Sequence, residues 1–157
     1  MQNRFGRFST VTATLFAAAA LPLLAVPASS QSHGVDVVVD VTNLRNTHGT
    51  IMACLTDEAE RFPRCRDDTR SHRLSIPANG SLVLRFHDVA PGTYAIALLH
   101  DENNNGRADR ALSMIPREGF GFSRDAPVRM GPPTFAAAAI TVGTSALRQT
   151  IRMRYML

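Results

Sequence analysis

Val35-Asp36-Val37-Val38-Val39-Asp40-Val41 decides the reading of the fold. Val35, Val37, Val39 and Val41 recur at every second position while Asp36 and Asp40 fall between them, which is the period of a half-buried strand. Asn43 to Gly49 supplies turn residues. Thr50 to Leu55 then reads as the returning strand, followed by a polar loop through Arg61-Phe62-Pro63-Arg64-Cys65. His72 to Ile76 is a short strand, and Asn79-Gly80 is a two-residue hairpin signal into Ser81 to Phe86. Pro91-Gly92 turns the chain into Tyr94 to His100, which alternates again.

Downstream, Ala111 to Pro133 reads as a long irregular stretch carrying Gly119-Phe120-Gly121-Phe122 and Gly131-Pro132-Pro133. Thr134 to Val142 and Leu147 to Tyr155 read as two closing strands around Gly143-Thr144-Ser145. For Phe135 to Ala139 a helical turn competes with the strand, since alanine propensity favours helix. About seven short strands with frequent turn signals predict an all-β, antiparallel β-sandwich, prealbumin-like or immunoglobulin-like, with long loops at one end.

Arg4 and Arg7 precede an apolar run from Val11 to Val26, and Ala25-Val26-Pro27-Ala28-Ser29-Ser30 follows with small residues. This is the pattern of a signal peptide over residues 1–30, cleaved between Ala28 and Ser30, with a single domain over 31–157. The competing reading is a retained anchor. Pro22 interrupts the run and its apolar core falls short of the roughly 20 residues a spanning helix needs, so no stable membrane span is expected after cleavage. The expected location is periplasmic or secreted.

Without residues 1–30 the formal charge falls from +4 to +2, because Arg4 and Arg7 leave and no acid does. Lysine is absent and the arginines are dispersed, a pattern that gives no footprint for nucleic acid. Cys54 and Cys65 are the only cysteines. In an exported chain such a pair is expected to form a disulfide; a metal pair or redox couple lacks the C-x-x-C spacing and a histidine pair.

The chemistry gathers in His100-Asp101-Glu102-Asn103-Asn104-Asn105-Gly106-Arg107-Ala108-Asp109. Asp101, Asn103, Asn105, Gly106 and Asp109 occupy the first, third, fifth, sixth and ninth positions of a calcium-loop pattern. Expected metal ligands are Asp101, Asn103, Asn105, the Arg107 carbonyl and Asp109. The twelfth position is Leu112 rather than glutamate, and strand periodicity precedes Asp101, so this is no EF-hand. Glu118, or a backbone oxygen from Gly119 to Phe122, is the candidate to complete the shell. Affinity for Ca2+ is expected on the order of 10⁻⁴–10⁻³ M. The alternative is a loop whose Asp and Asn side chains bond their own backbone with no metal.

Other sites carry less. Gly121-Phe122-Ser123-Arg124-Asp125 begins like a nucleophile elbow but has Asp125 where glycine is required. His33, His48, His72, His87 and His100 are scattered singly, without zinc spacing. His100 adjoins the Asp101 loop and is a candidate ligand contact, as are Glu118, Phe120 and Phe122, the rings forming either a platform for a sugar or peptide or pins for an irregular loop. No catalytic set and no organic cofactor is expected.

Ala90-Pro91-Gly92-Thr93-Tyr94, the His100 to Gly106 run, Pro116-Arg117-Glu118-Gly119-Phe120-Gly121-Phe122-Ser123 and Gly131-Pro132-Pro133-Thr134-Phe135 together resemble the DUF2141 family of exported bacterial proteins. The chain departs from that pattern at Ala136-Ala137, where an acidic pair is expected. The Pro-Gly-Thr-Tyr turn is also similar to those of transthyretin-like and carboxypeptidase-regulatory-like sandwiches. The resemblance implies fold and export and assigns no activity. The function expected is a non-enzymatic module binding a protein, peptide or glycan of the cell envelope, with a weak calcium loop. The alternatives are a hydrolase using His100, Asp101 and Glu118, or a purely structural module.

Overall fold

The computed structural model describes residues 34–65, 67–111 and 115–157. The signal-peptide reading, His33 and Leu112 therefore lie outside the described residues.

The strands are β1 (Val35–Thr42), β2 (Thr50–Thr56), β3 (His72–Pro77), β4 (Val83–Val89), β5 (Gly92–Asp101), β6 (Arg110–Ala111), β7 (Ile115–Pro116), β8 (Gly119–Phe122), β9 (Ile140–Val142) and β10 (Leu147–Arg152). One four-residue helix, α1 (Phe135–Ala138), precedes β9. The fold is an all-β sandwich. Its first sheet has the order β10-β1-β4, and its second the order β3-β2-β5-β8, with β9 pairing the start of β5. β6 and β7 form a separate two-stranded ribbon. Among the described residues no helix is long and apolar enough to cross a membrane.

The alternation of β1 becomes packing. Val37 and Val39 are fully buried, Val41 nearly so, and they meet Ile51, Leu55, Leu84, Phe86, Ile96, Leu98, Ile151 and Met153 in one core. Each large apolar side chain buried there contributes roughly 1.5–3 kcal/mol. Val38, on the opposite face, is buried too, because its lateral neighbours are Arg85 and Arg148. Those arginines pair with Asp36 and Asp40, so their aliphatic stems flank the valine while their charges stay in water.

Pairing departs from expectation in four places. β1 and β2 do not return on each other as a hairpin: β1 lies in the first sheet and β2 in the second. Asn79-Gly80 sits in a turn closed by Gly80 N–H donating to the Pro77 carbonyl at 3.2 Å, but this turn carries the chain from β3 across to β4 in the other sheet. The sandwich is not wholly antiparallel, since β1 and β10 run parallel with Val37 opposite Leu147 and Val41 opposite Ile151. The closing segments are likewise not a hairpin, as β9 pairs with β5 and β10 with β1.

Phe135 onward begins as a helical turn and then becomes a strand. Thr134 Oγ1 accepts the Ala137 N–H at 3.3 Å and caps a run of alanines, the best helix formers, before β-branched Ile140 to Val142 extends. The stretch expected to be irregular contains a real strand, β8, buried at all four positions. Its glycines make this burial feasible. A Cβ on Gly121 would lie 2.8 Å from Ile151 Cγ2, so only glycine lets β8 pass beneath β10. Beyond β10, Phe120 and Arg154 exchange both backbone hydrogen bonds, at 3.0 and 2.8 Å, and join the two sheets along this side.

Candidate functional site

The candidate site lies where β5 ends. Strand alternation sends His100 and Asp101 to opposite faces. His100 is completely buried, with Nδ1 2.8 Å from the Tyr155 hydroxyl and Nε2 2.7 Å from the His48 carbonyl. A carbonyl only accepts, so Nε2 carries the hydrogen. The Tyr155 hydroxyl accepts the Arg45 N–H at 3.3 Å, which leaves its own hydrogen for Nδ1. His100 is therefore a structural pin rather than a ligand contact, and its ring is not available to act with Asp101 and Glu118. The hydrolase alternative loses its base.

Asp101, 2 % exposed, organises the loop that follows. Its Oδ1 accepts the Asn105 N–H at 3.1 Å and its Oδ2 the Gly106 N–H at 2.7 Å. These bonds fold the chain back, which requires positive φ at Asn104 and Gly106, the residue types that tolerate it. Asn103 Oδ1 also accepts the Asn105 N–H, and Asn105 Oδ1 accepts the Arg107 N–H at 2.8 Å. From the same two amides, Nδ2 groups donate to Asp109 Oδ2 at 2.9 and 2.8 Å. Asn103 to Ala108 is an exposed tip on a buried base.

Glu118 reaches this base from the β7–β8 turn. Asp109 N–H donates to Glu118 Oε2 at 3.0 Å, and Arg117 N–H donates to the Asp109 carbonyl at 3.0 Å. Glu118 is 4 % exposed, and its Oε1 is buried with no hydrogen-bond partner among the described residues. Burial pushes its carboxyl above the usual carboxylate range; the Asp109 N–H opposes this, while the neighbouring charges of Asp101 and Asp109 and a hydrogen bond shared with the Asp101 carboxyl add to it. The structure thus brings Asp101, Asn103, Asn105, Asp109 and Glu118 together, with Arg107 at the exposed tip. Among the described residues no three His, Cys, Asp or Glu side chains are already arranged as a metal cage.

Phe120 and Phe122 are not at this site. They pack with Phe62, Ala95, Ala97, Ala126 and Ala138 in a second apolar cluster, Phe62 meeting Phe122 edge-on with centroids 5.8 Å apart. Their faces are taken up by packing and offer no platform. Ser123 is fully buried, accepting the Ile96 N–H at 2.9 Å and donating to the Ala138 carbonyl, so it anchors β5 to α1 and is no nucleophile. Cys54 and Cys65 form a disulfide, with Cα atoms 6.3 Å apart, tying the β2–β3 loop to β2.

A wall of the site escaped the sequence reading. Arg45 grips Glu102 in a two-pronged pair, Nε to Oε1 at 2.8 Å and Nη2 to Oε2 at 2.5 Å, and also donates to the Arg117 carbonyl. Its guanidinium lies 4.6 Å from the Tyr155 ring centroid. The Arg45 hydrogen bonds hold Glu102 below the usual carboxylate range against the opposing effect of burial. Residues 45, 102 and 155 share no local pattern, and nothing in the sequence pairs them.

Comparison with protein families matches residues 39–150 to DUF2141, described as an uncharacterized protein conserved in bacteria. No curated protein and no solved structure gives a match.

Proposed function

This chain belongs to the DUF2141 family, matched over residues 39–150, and from that premise we propose an exported, non-catalytic β-sandwich module. It binds a protein, peptide or glycan of the cell envelope through its loop end, with a weakly held calcium ion in the Asp101–Asp109 loop. The observation that carries this reading is the construction of that loop: an exposed tip, Asn103 to Ala108, on a hydrogen-bonded base fixed by buried Asp101. Loops preset on a rigid sheet are where recognition surfaces concentrate. Export is supported by the signal-like run from Val11 to Ser30 and by the Cys54–Cys65 bond, which persists in oxidising compartments.

Purified chain mixed with isolated envelope fractions tests the reading. Retention in millimolar-range calcium is expected, with loss in EDTA and in Asp101→Ala. No retention, or retention equal in all three conditions, overturns it.

A further inference from the structure

We infer that β3, the outer strand of the second sheet, is a docking edge for a second copy of this chain, the two strands pairing antiparallel about a two-fold axis at Ser75. An edge strand offers a row of unpaired backbone N–H and C=O groups to any chain that can match it, so folds usually shield their edges. The edges of the first sheet are shielded here. On β4, Arg85 and His87 are exposed, the ladder with β1 slips at a bulge between Val35 and Val37, and Asp88 turns to φ +55°. β10 is covered where Arg152 N–H donates to Asp125 Oδ1 at 3.2 Å, and beyond it Arg154 and Phe120 exchange backbone bonds.

β3 has none of these devices. It pairs with β2 without a slip, from His72 opposite Leu55 to Pro77 opposite Thr50, and among the described residues no strand pairs with its other flank. The direction of its N–H groups follows from Ala78, whose N–H donates to the Gly49 carbonyl at 3.0 Å. Antiparallel ladders alternate, so the N–H groups of Ile76, Leu74 and His72 face β2 while those of Ser75 and Arg73 face the open edge. Pro77 falls on the open side as well, where its missing N–H costs the sheet no bond.

The choice of a second copy rests on the complement that β3 offers to itself. An axis at Ser75 lets the two serines exchange both backbone bonds, and each Arg73 N–H meets the carbonyl of the partner's Pro77. On the core side Leu74 comes opposite the partner's Ile76; both side chains are half-buried against the core, and pairing extends their apolar cover. On the outer side arginine stands opposite proline and serine opposite serine, so no like charges meet. The same operation on β4 fails, because an axis at Arg85 sets arginine against arginine and one at Phe86 sets Arg85 against His87. A two-fold contact of this kind uses the same patch on both copies and closes at two.

Sedimentation equilibrium of the purified chain over a range of concentrations, with and without EDTA, tests this apart from the calcium reading. A monomer–dimer equilibrium is expected in both conditions. Ser75→Lys sets two ammonium groups on the axis from an exposed position and is expected to weaken association about tenfold or more. Ser75→Cys adds the only free thiol, since Cys54 and Cys65 are bonded to each other. A short thiol-to-thiol cross-linker is expected to couple two copies through it, and to leave Arg85→Cys on β4 uncoupled. A monomer at every concentration overturns the inference and leaves the edge to an extended peptide of another protein. A dimer that Ser75→Lys leaves intact, or that couples through Arg85→Cys and not Ser75→Cys, overturns it too.

Discussion

Gly49 lies directly against the carbonyl of Asp101: a Cβ built on it would stand 1.9 Å from that oxygen, and its φ is +71°. Thr50, the next residue, pairs with Asp101 across the β2–β5 ladder, so this glycine sets how closely β2 approaches the base of the loop. Gly49→Ala is penalised twice, by the left-handed backbone and by the clash. A loss of at least about 1–3 kcal/mol is expected, measured as a fall in the urea midpoint.

Arg45→Ala removes the two-pronged pair with Glu102 and the stacking on Tyr155. Because the Arg45 side chain is 35 % exposed, solvent screening limits the loss to about 1 kcal/mol. Arg45→Lys is expected to recover little, as an ammonium cannot match both carboxylate oxygens. Chemical denaturation of the three proteins at low and high salt checks this, the gap between them narrowing as salt rises.

Asp68 gives the fold a pH dependence. The Thr56 hydroxyl is the main cause that holds its carboxyl below the usual range, with burial opposing and the N–H groups of Arg70 and Ser71 assisting. A carboxyl lowered on folding contributes stability above its unfolded value of about 3.9, and loses it as pH falls through the lower folded value. Asp68→Asn is expected to be less stable than wild type at pH 7. Melting curves from pH 7 to pH 2 should show the difference shrinking below about pH 4.

Cys54 and Cys65 enclose a short loop, and chain-entropy reasoning assigns their bond roughly 2–3 kcal/mol. The double variant Cys54→Ala/Cys65→Ala is expected to lose about that much in denaturant titration. Mass measurement of the native chain under alkylating, non-reducing conditions should find no free thiol.

Patterns that repeat locally were legible in the sequence, and pairings that depend on distant partners were not. The valines of β1 announce a buried face because their period is two. β8 announces nothing, since glycine and phenylalanine buried on both faces leave no alternation to read. Asn79-Gly80 is a genuine turn signal, but the turn says nothing about which sheet receives β4; that is settled by the pairing of β4 with β1, from Val35 opposite Val89 to Asp40 opposite Val83. The site divides in the same way. Asp101 to Asp109 was readable as oxygen-rich turn chemistry. The approach of Glu118 depends on the β6–β7 ribbon and on the Asp109 N–H that its side chain accepts, and the Arg45–Glu102–Tyr155 wall depends on contacts between residues 57 and 110 positions apart.

The parallel union of β1 with β10 couples the earliest described strand to the last. Until residues 147–152 have been synthesised, one flank of Val37, Val39 and Val41 has no ladder to join. Assembly of the first sheet is therefore deferred until β10 has been made, and long sequence separations of this kind slow the search for the native pairing. A fragment ending before Leu147 leaves β1 paired on one side only, with β4.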